Sequence, residues 1–448
     1  MTLTDETAAP VQHESLTALG AHLRTAVDGP YAAERAVGRA TFPADDLLRD
    51  PELDVEQSRE WTLGRLRELE RHGFGHAGVP DGPNSVSDPL TAVMAFEMLA
   101  HGDLSVTIKS GVQFGLFGGA VTNLGTEWHH ATFLPGITDL SLLGGFAMTE
   151  LGHGSDVASL ETTITYLPES DEFEVHSPTP GATKAYIGNA AKDGTMAAVF
   201  GQLWVDGKCH GVHVILVPLR DESGADLSGV TTGDQGHKGG LLGVDNGTIR
   251  FDKVRVPRRM LLDRFGGVRE DGTYESPIEN ANRRFFTMLG TLVRGRVCVG
   301  GGAGVAARRA LSIATRYALR RRQFPAAGRP GGVLLLDYVV HQRRLLPRVA
   351  RSYALGFAQN EPDSGARHGA GSGREHRGAA ARTRDARGGH QGDHHMVRER
   401  CGAGGARGLR RLGLPQREPP RRCAGTWTSS PRSRVTTPCC CSPSRRRC

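Results

Sequence analysis

The sequence predicts an α+β protein in which a helical domain, a central β domain and a second, incomplete helical domain follow one another. Three observations predict this order. Apolar residues recur at helical spacing in the first part of the chain, short alternating segments separated by turn residues follow, and helical spacing then resumes. The last part of the chain has none of these patterns. We place the domains at residues 1–144, 145–270, 271–360 and 361–448.

The N-terminal helical domain is predicted from two segments. In residues 57–71, Leu63, Leu66 and Leu69 lie three apart with charged residues between them, which places them on one side of a helix. Residues 90–99 are apolar almost throughout, and we therefore expect them to form a buried helix.

The central β domain is predicted from short strand segments separated by turns. Asp206–Gly207 is a common pair in tight hairpin turns and lies between two of these segments. Asn246–Gly247 precedes another alternating segment. The regular spacing predicts a compact β barrel or sandwich. Residues 160–166 and 172–175 are predicted strands that a turn at 168–171 joins into a hairpin. The other predicted strands are residues 196–205, 210–219 and 248–256.

The second helical domain is predicted from an apolar stripe and from a long final helix. The stripe consists of Ala306, Ala310, Ile313 and Tyr317. Residues 334–359 form the predicted last helix, after which the pattern stops and the domain is incomplete.

The tail, residues 361–448, differs sharply in composition from the rest of the chain. It holds 19 Arg, no Lys and 7 acidic residues, whereas residues 1–360 hold 36 basic and 41 acidic residues. It has no Ile, Phe or Tyr. A segment with so few large apolar side chains does not bury enough surface to offset its ordering entropy, so we expect it to be disordered.

Composition also excludes some classes of protein. No apolar run approaches the length of a membrane helix, and the first ten residues are polar and acidic, unlike a secretory signal. We therefore expect a cytoplasmic protein with no membrane partner. The net charge of +7 would suggest nucleic-acid binding, but the excess positive charge lies in the tail. We expect no nucleic-acid partner; a basic tail acting as a binding module is an alternative.

The densest chemical motif is the segment from Thr149 to Asp156, TELGHGSD. It offers hydroxyl and carboxylate groups, and its two glycines allow the backbone to approach a ligand closely. The same pattern also fits a helix-to-strand corner in which Ser155 or Asp156 is a cap.

Two further motifs each allow two interpretations. Tyr186, followed closely by Gly188 at a predicted strand end, is able to lie flat against a planar ring, or it is a packing tyrosine in an ordinary turn. Three arginines at residues 320–322 end a helix, where they complement its dipole or bind a phosphate.

Together and in this order, the three segments resemble the acyl-CoA oxidases, flavoenzymes of the acyl-CoA dehydrogenase superfamily. The resemblance covers roughly residues 60–360 and implies the fold of that superfamily. The oxidase branch fits better than the plain dehydrogenases through SLETTITY and EVHSPTPGATKAYIG. The other matching segments are TELGHGSDVASLETTITY at 149–166, GKCHGVH at 207–213, TTGDQGHKGGLLGVDNG at 231–247 and DGTYESP at 271–277.

The resemblance implies roles for four residues. Thr149 matches the threonine that hydrogen-bonds the flavin of FAD, and Gly188 matches the glycine whose backbone lies beside the isoalloxazine ring. Ser155 matches the serine near the pyrophosphate and the substrate thioester. Arg321 matches the arginine that binds an FAD phosphate across a subunit interface, which implies a homodimer.

The resemblance also implies the reaction, α,β-desaturation of a fatty acyl-CoA to trans-2-enoyl-CoA in fatty acid β-oxidation. A glutamate removes the α-proton, the β-hydride goes to the flavin, and O2 then takes the electrons and gives H2O2. Two alternatives are an acyl-CoA dehydrogenase with another electron acceptor and a non-catalytic remnant that binds flavin or acyl-CoA.

The family's catalytic glutamate is missing from this sequence. No Phe-Glu-Gly-Asp-Asn-type segment follows Asn360, and Gly295–Arg296, the nearest match to another known position of the base, has no carboxylate. We therefore predict no catalytic residue in the chain.

The tail suggests a cause for this gap. Reading the implied codons of residues 427–442 one base earlier allows LDVFTTFEGDNTVLLQ, with the glutamate codon across Ser433 and Arg434. We therefore predict a frameshift at about residue 361. The tail's cysteines and histidines would alternatively form a metal site, but no ligand spacing recurs among them and we predict none.

Overall fold

A computed structural model describes residues 13–43, 46–76, 89–325 and 331–360. The chain divides after Ser372 into two compact units, and every described residue belongs to the first unit. The tail lies outside the described residues, and so do the predictions made for it, its disorder and the absence of a metal site at its cysteines and histidines. Within the described residues, the order of a helical, a β and a second helical part confirms the predicted fold class.

Helices make up the first part of the described chain. A π-helix, Gly111–Phe117, continues α5 directly into α6. The helices are α1 (His13–Asp28), α2 (Ala32–Thr41), α3 (Val55–Arg71), α4 (Pro89–Leu99), α5 (Leu104–Ser110), α6 (Gly118–Leu124) and α7 (Glu127–Thr138).

The two helices predicted in this part are confirmed as α3 and α4. α3 begins two residues before the predicted start because Asp54 caps it: its carboxylate accepts a hydrogen bond from the backbone N–H of Gln57, whose side chain accepts one from the Asp54 N–H. Leu66 and Leu69 of α3 are buried. α4 is buried at most positions that the structure describes, as its apolar sequence predicts.

The central part contains two sheets. A six-stranded mixed sheet has the order β1-β5-β2-β3-β9, with β6 also paired to β5, and a three-stranded sheet has the order β4-β8-β7. The strands are β1 (Gly144–Ala147), β2 (Thr163–Leu167), β3 (Glu172–His176), β4 (Lys184–Ile187), β5 (Met196–Val205), β6 (Lys208–Pro218), β7 (Val230–Asp234), β8 (Gly247–Phe251) and β9 (Val254–Pro257). A short ribbon of β10 (Gly267–Val268) and β11 (Tyr274–Glu275) follows.

Both predicted hairpins are confirmed. β2 and β3 pair antiparallel, and so do β5 and β6. The turn between β5 and β6 has positive φ at both Asp206 (47°) and Gly207 (70°), the backbone that matches the right-handed twist of a two-residue hairpin. β5 and β6 also supply much of the core, since Ala197, Val214 and Leu216 are fully buried.

The predicted strand at residues 248–256 is two strands. β8 pairs with β4 and β7 in the small sheet, whereas β9 pairs with β3 in the large sheet. The chain changes sheets at Asp252–Lys253, where Lys253 takes a positive φ of 55°. Alternation of apolar residues continues across this turn, so periodicity alone does not reveal it.

Helices resume after the sheets. The predicted helix at 334–359 begins later, at Val339, because Val333–Leu334 pairs with Arg322–Gln323 instead. None of the described helices combines the length and the apolar character that a bilayer crossing requires. The elements are α8 (Ala281–Leu289), α9 (Thr291–Ala318), β12 (Arg322–Gln323), β13 (Val333–Leu334) and α10 (Val339–Asn360).

The apolar stripe predicted on α9 is largely exposed towards its C-terminal end. Ile313 is 61% exposed and Tyr317 57%. The buried positions of this helix include Gly302 and Val305. A Cβ atom at Gly302 would lie 3.1 Å from Phe96 Cε1, so glycine lets α9 pack closely against α4. The helix packs through its small residues, which leaves larger apolar ones outside.

Candidate functional site

Two of the predicted motifs lie side by side. The residues after β1 run antiparallel to β4, with Glu150 bridged to Lys184. The carbonyl oxygen of Thr149 accepts a hydrogen bond of 3.0 Å from the Ala185 N–H. Gly188, at the end of β4, lies close enough to β1 that a Cβ built on Gly145 would be 3.2 Å from the Gly188 oxygen. The fold therefore brings the Thr149 and Gly188 segments together.

A buried lysine holds these segments in place. Lys184 is fully buried, and its Nζ donates to Glu150 Oε1 at 2.8 Å, to the Phe200 oxygen at 2.6 Å and to the Met148 oxygen at 3.3 Å. The three donors of the ammonium group thus have three acceptors. Burial lowers the pKa of Lys184 to about 8, against the opposing attraction of Glu150.

The partner carboxylate, Glu150, is 1% exposed and equally well bonded. It accepts from the N–H of Glu161 at 2.8 Å, from the N–H of Thr162 at 3.0 Å and from the Thr162 hydroxyl at 2.6 Å. Burial alone would raise the pKa of Glu150, but the charge of Lys184 and these hydrogen bonds lower it overall. The pair is therefore an ionised bridge with all its partners inside the protein.

A second buried cluster attaches α5 to the end of β4. Lys109 is fully buried and donates to Asn189 Oδ1 at 2.8 Å, Asp193 Oδ2 at 2.7 Å and Asp245 Oδ1 at 2.5 Å. The amide of Asn189 donates in turn to the Gly144 oxygen at 2.8 Å. Helix α5, strand β1 and the residue after Gly188 are therefore linked by one network.

Gly188 packs against the π-helix. A Cβ atom at Gly188 would lie 2.8 Å from Val112 Cγ2 and 3.2 Å from Val112 Cγ1. Such contacts are too short to form without movement of Val112, which is itself buried. Segments of π-helix are frequent at functional sites, and this one lies directly behind the Gly188 backbone.

An exposed aromatic ring stands beside Gly188. Tyr186 is 66% exposed and takes a positive φ of 62°, an unusual conformation for a bulky residue. Its N–H donates to Gln235 Oε1 at 3.1 Å, and its oxygen accepts from Asn246 Nδ2 at 3.1 Å. The surrounding loops thus hold the backbone that presents this ring, a surface suited to a flat ligand.

Comparison with known proteins identifies the family. Residues 145–254 match the family model described as Acyl-CoA dehydrogenase, middle domain, and residues 289–387 match Acyl-CoA oxidase, C-alpha1 domain. The peroxisomal acyl-coenzyme A oxidase 3 of Arabidopsis thaliana is 42% identical over 308 residues, 68% of this chain and 45% of the relative. The chain belongs to the acyl-CoA oxidase family. The Arabidopsis peroxisomal acyl-coenzyme A oxidase 2 is 43% identical over 320 residues, 70% of this chain and 46% of the relative.

Solved structures of acyl-CoA oxidases agree with this family. Acyl-CoA oxidase 1 of Yarrowia lipolytica superposes with a TM-score of 0.65 and 32% identity, over 76% of this chain and 48% of the other. Acyl-CoA oxidase-1 of Caenorhabditis elegans, complexed with FAD and ATP, gives a TM-score of 0.62 and 29% identity, over 80% and 53%. The chain therefore spans about half the length of the relatives that it matches.

Two expectations about the chain are affected by these matches. The predicted cytoplasmic location is wrong by this comparison, because both Arabidopsis relatives are named as peroxisomal. The match to the oxidase C-alpha1 domain runs past Asn360 to residue 387, so it crosses the point where a frameshift is predicted. The frameshift stays a prediction.

Ser155 and Thr149 differ in their surroundings. Ser155 is exposed in a turn after Gly154, which has a positive φ of 49°, whereas Thr149 is half-buried. Among the described residues, neither the Ser155 hydroxyl nor the Thr149 hydroxyl makes a hydrogen bond. Both hydroxyl groups are free for a ligand within the described part of the protein.

Arg321 belongs to a different part of the fold. It follows α9, and its N–H donates to the Tyr317 oxygen at 2.9 Å while its oxygen accepts from the Leu335 N–H at 2.8 Å. Its guanidinium is exposed and has no ion pair or hydrogen bond within the described residues. Among the described residues, no hydrogen bond connects Arg321 to Thr149 or Gly188.

The three C-terminal helices contain no carboxylate side chain. Neither α8, α9 nor α10 has an Asp or Glu in its sequence. A Cβ atom at Gly295 would meet nothing within 4 Å, so this position on α9 faces open space. The absence of a catalytic glutamate stays a prediction.

Sequence reasoning missed the buried charges of this site. Lys184 and Glu150 lie inside the quoted motifs, yet the sequence predicts no role for either, and Lys109 lies outside every quoted motif. Lys109 stands in the largely apolar segment 104–117, and a lone charge in such a segment was the available signal. Its partners are separated from it by 80 or more positions, so no local pattern would have named them.

Proposed function

We propose that this chain carries the FAD-binding part of an acyl-CoA oxidase. The observation that supports the proposal is the meeting of the Thr149 segment with β4 and Gly188. There, a half-buried hydroxyl with no partner among the described residues, a glycine that tolerates no side chain and an exposed aromatic ring lie on neighbouring stretches of backbone. The C. elegans relative, which shares this fold, is a complex with FAD and ATP.

The residues present fit a flavin. The Thr149 hydroxyl would hydrogen-bond a polar edge of the ring. The Gly188 backbone, which packs closely on Val112 because it has no Cβ, would lie against the plane of the ring. Tyr186 offers a ring face beside that plane. Ser155 would lie near the pyrophosphate and the thioester of a fatty acyl-CoA. FAD, when bound, supplies the two-electron acceptor for α,β-desaturation, with O2 as the final acceptor and H2O2 as the product.

We also propose a homodimer in which Arg321 binds the FAD of the partner subunit. The exposed guanidinium has no competing carboxylate within the described residues and is able to donate two parallel hydrogen bonds to a phosphate. We propose no carboxylate of this chain as the group that removes the substrate α-proton, and α8, α9 and α10 contain none.

The first test is a titration of the FAD-free protein with FAD, in which the quenching of flavin fluorescence measures binding. We expect binding by the wild type and a loss of about five-fold in affinity for Thr149→Val, equivalent to about 1 kcal/mol for one hydrogen bond. Thr165→Val is the matched control, a half-buried threonine on β2. Absence of FAD binding by the wild type would contradict the proposal.

The second test concerns the electron acceptor. With acyl-CoA in air, the oxidase proposal expects one H2O2 for each enoyl-CoA formed by a chain that has its proton-abstracting carboxylate. Reduction of an artificial dye by acyl-CoA without any H2O2 would indicate a dehydrogenase instead.

Arg321→Ala is expected to lower FAD affinity, and an unchanged affinity in that variant would contradict the assigned role of Arg321.

A further inference from the structure

The bonds of Lys184 are concentrated around Thr149. Its Nζ donates to the Met148 oxygen and to the Glu150 carboxylate, the residues on either side of Thr149. Lys184 is also the first residue of β4, which leads directly to Gly188. One ammonium group therefore connects both neighbours of the threonine to the strand that presents the glycine.

We propose that Lys184, together with Glu150, is a positioning residue for FAD. The bridge holds the Thr149 hydroxyl and the Gly188 backbone at a set separation, and this separation determines the affinity for the cofactor. The inference rests on the proposed function, in which FAD binds at Thr149 and Gly188. Neither Lys184 nor Glu150 touches the cofactor in this arrangement, since both side chains are enclosed by the protein.

Stability alone does not account for this bridge. A fully buried ion pair carries a large desolvation cost, and apolar replacements of similar volume are often as stable or more so. The Lys184–Glu150 pair is fully buried, and its other hydrogen bonds all go to backbone groups or to the Thr162 hydroxyl. Its effect is to order backbone rather than to fill space.

The chain offers a matched control pair. Arg35 of α2 and Glu97 of α4 form an ion pair of 2.8 Å with side chains only 5% and 1% exposed. They lie in the helical part, and no hydrogen bond among the described residues joins them to Thr149 or Gly188. Removing this pair changes a buried bridge without touching the backbone around the site.

The test compares stability with cofactor affinity in the same variants. The variants are Lys184→Met, the double variant Glu150→Gln/Lys184→Met, and the control Arg35→Met/Glu97→Gln. Urea unfolding of the FAD-free protein gives stability, and fluorescence titration with FAD gives Kd. A residue with a purely structural role would change the Kd only in step with the fraction of unfolded protein.

We expect Lys184→Met to lower both stability and FAD affinity, because it leaves Glu150 buried without its counterion. The double variant should regain most of the stability, since no charge is left unpaired, yet bind FAD at least about ten-fold more weakly than the wild type. The control also leaves neither member of its ion pair buried alone, so it should keep most of its stability and show an unchanged Kd. A double variant that regains both stability and wild-type Kd would overturn the inference, as would a control that loses affinity equally.

Two further results keep the outcomes distinct. If Lys184→Met and the double variant do not fold, Glu150→Gln replaces them. It also leaves a buried charge, that of Lys184, without its counterion, but it keeps the side-chain volume and the two carbonyl bonds of Lys184. We expect about three-fold weaker FAD binding for Glu150→Gln, and an unchanged Kd would refute the inference. A wild type that binds no FAD refutes the proposed function instead.

Discussion

Gly188→Ala should disturb the close packing of Gly188 on Val112 of the π-helix and lower the stability of the protein. The Cβ of Gly188→Ala would lie 2.8 Å from Val112 Cγ2, and the backbone there has no positive φ that would add strain of its own. The cost is therefore steric. Overpacking of this kind costs about 1–3 kcal/mol of unfolding free energy.

A second substitution tests whether Val112 is the cause. Val112→Ala alone removes two buried methyl groups and should cost about 2 kcal/mol. In the double variant the alanine Cβ occupies space that the valine leaves. We therefore expect the double variant to be more stable than the sum of the single effects predicts, by about 1–2 kcal/mol.

The assay is urea unfolding of the FAD-free proteins, with FAD affinity measured in parallel. Gly64→Ala in α3 is the control, because a Cβ there meets nothing within 4 Å, and it should gain about 0.5–1 kcal/mol as a helical alanine. Strict additivity of the Gly188 and Val112 effects would refute the proposed contact. A Gly188→Ala variant with wild-type stability would refute the steric argument itself.

Three other predictions follow from burial and exposure. Burial lowers the pKa of His213 from 6.5 to about 4, so the unfolded chain binds a proton that the folded chain does not, and this group alone should remove about 3 kcal/mol of stability as pH drops from 6.5 to 4. Urea unfolding at several pH values checks this: His213→Gln should reduce the loss by about that amount and leave the part that comes from other groups, such as His101, whose pKa burial also lowers to about 4. Burial raises the pKa of the Cys298 thiol to about 11, so alkylation at pH 8 with peptide mapping should label the exposed Cys209 and spare Cys298 until the protein unfolds. Ile313 and Val340 are 61% and 65% exposed. Changing both to Lys should therefore reduce light scattering by aggregates and alter the unfolding free energy by less than about 0.5 kcal/mol. Unchanged scattering would indicate that these two apolar side chains do not cause aggregation.

Local signals were sufficient for several elements of the fold. The Asp206–Gly207 turn was predictable because only a few residue pairs accept positive φ at both positions of a tight hairpin. α4 was predictable because its residues are apolar almost throughout, with Glu97 as the one charged residue. The start of α10 was not, since Val333–Leu334 is apolar enough for either a helix or a strand and its pairing partner, Arg322–Gln323, decides between them.

Side-chain position on α9 shows a different limit. Periodicity correctly indicates a helix but suggests that Ile313 and Tyr317 face the interior, whereas both are exposed. The helix instead packs on α4 through glycines such as Gly302, and a glycine carries no hydropathy signal that would mark a contact face. The preferred buried face depends on the shape of the neighbouring helix.

The sequence by itself determined the order of the helical and β parts, the two hairpins, and the motifs that contain Thr149, Ser155, Gly188 and Arg321, because these depend on residues near one another in the chain. Tertiary structure alone decided that the Thr149 segment lies against β4 and that Lys184 bonds both neighbours of Thr149. It also decided that Lys109 joins α5 to residues 80 or more positions away. The physical reason is that a buried charge needs a specific partner, and the fold brings that partner from a distant part of the chain.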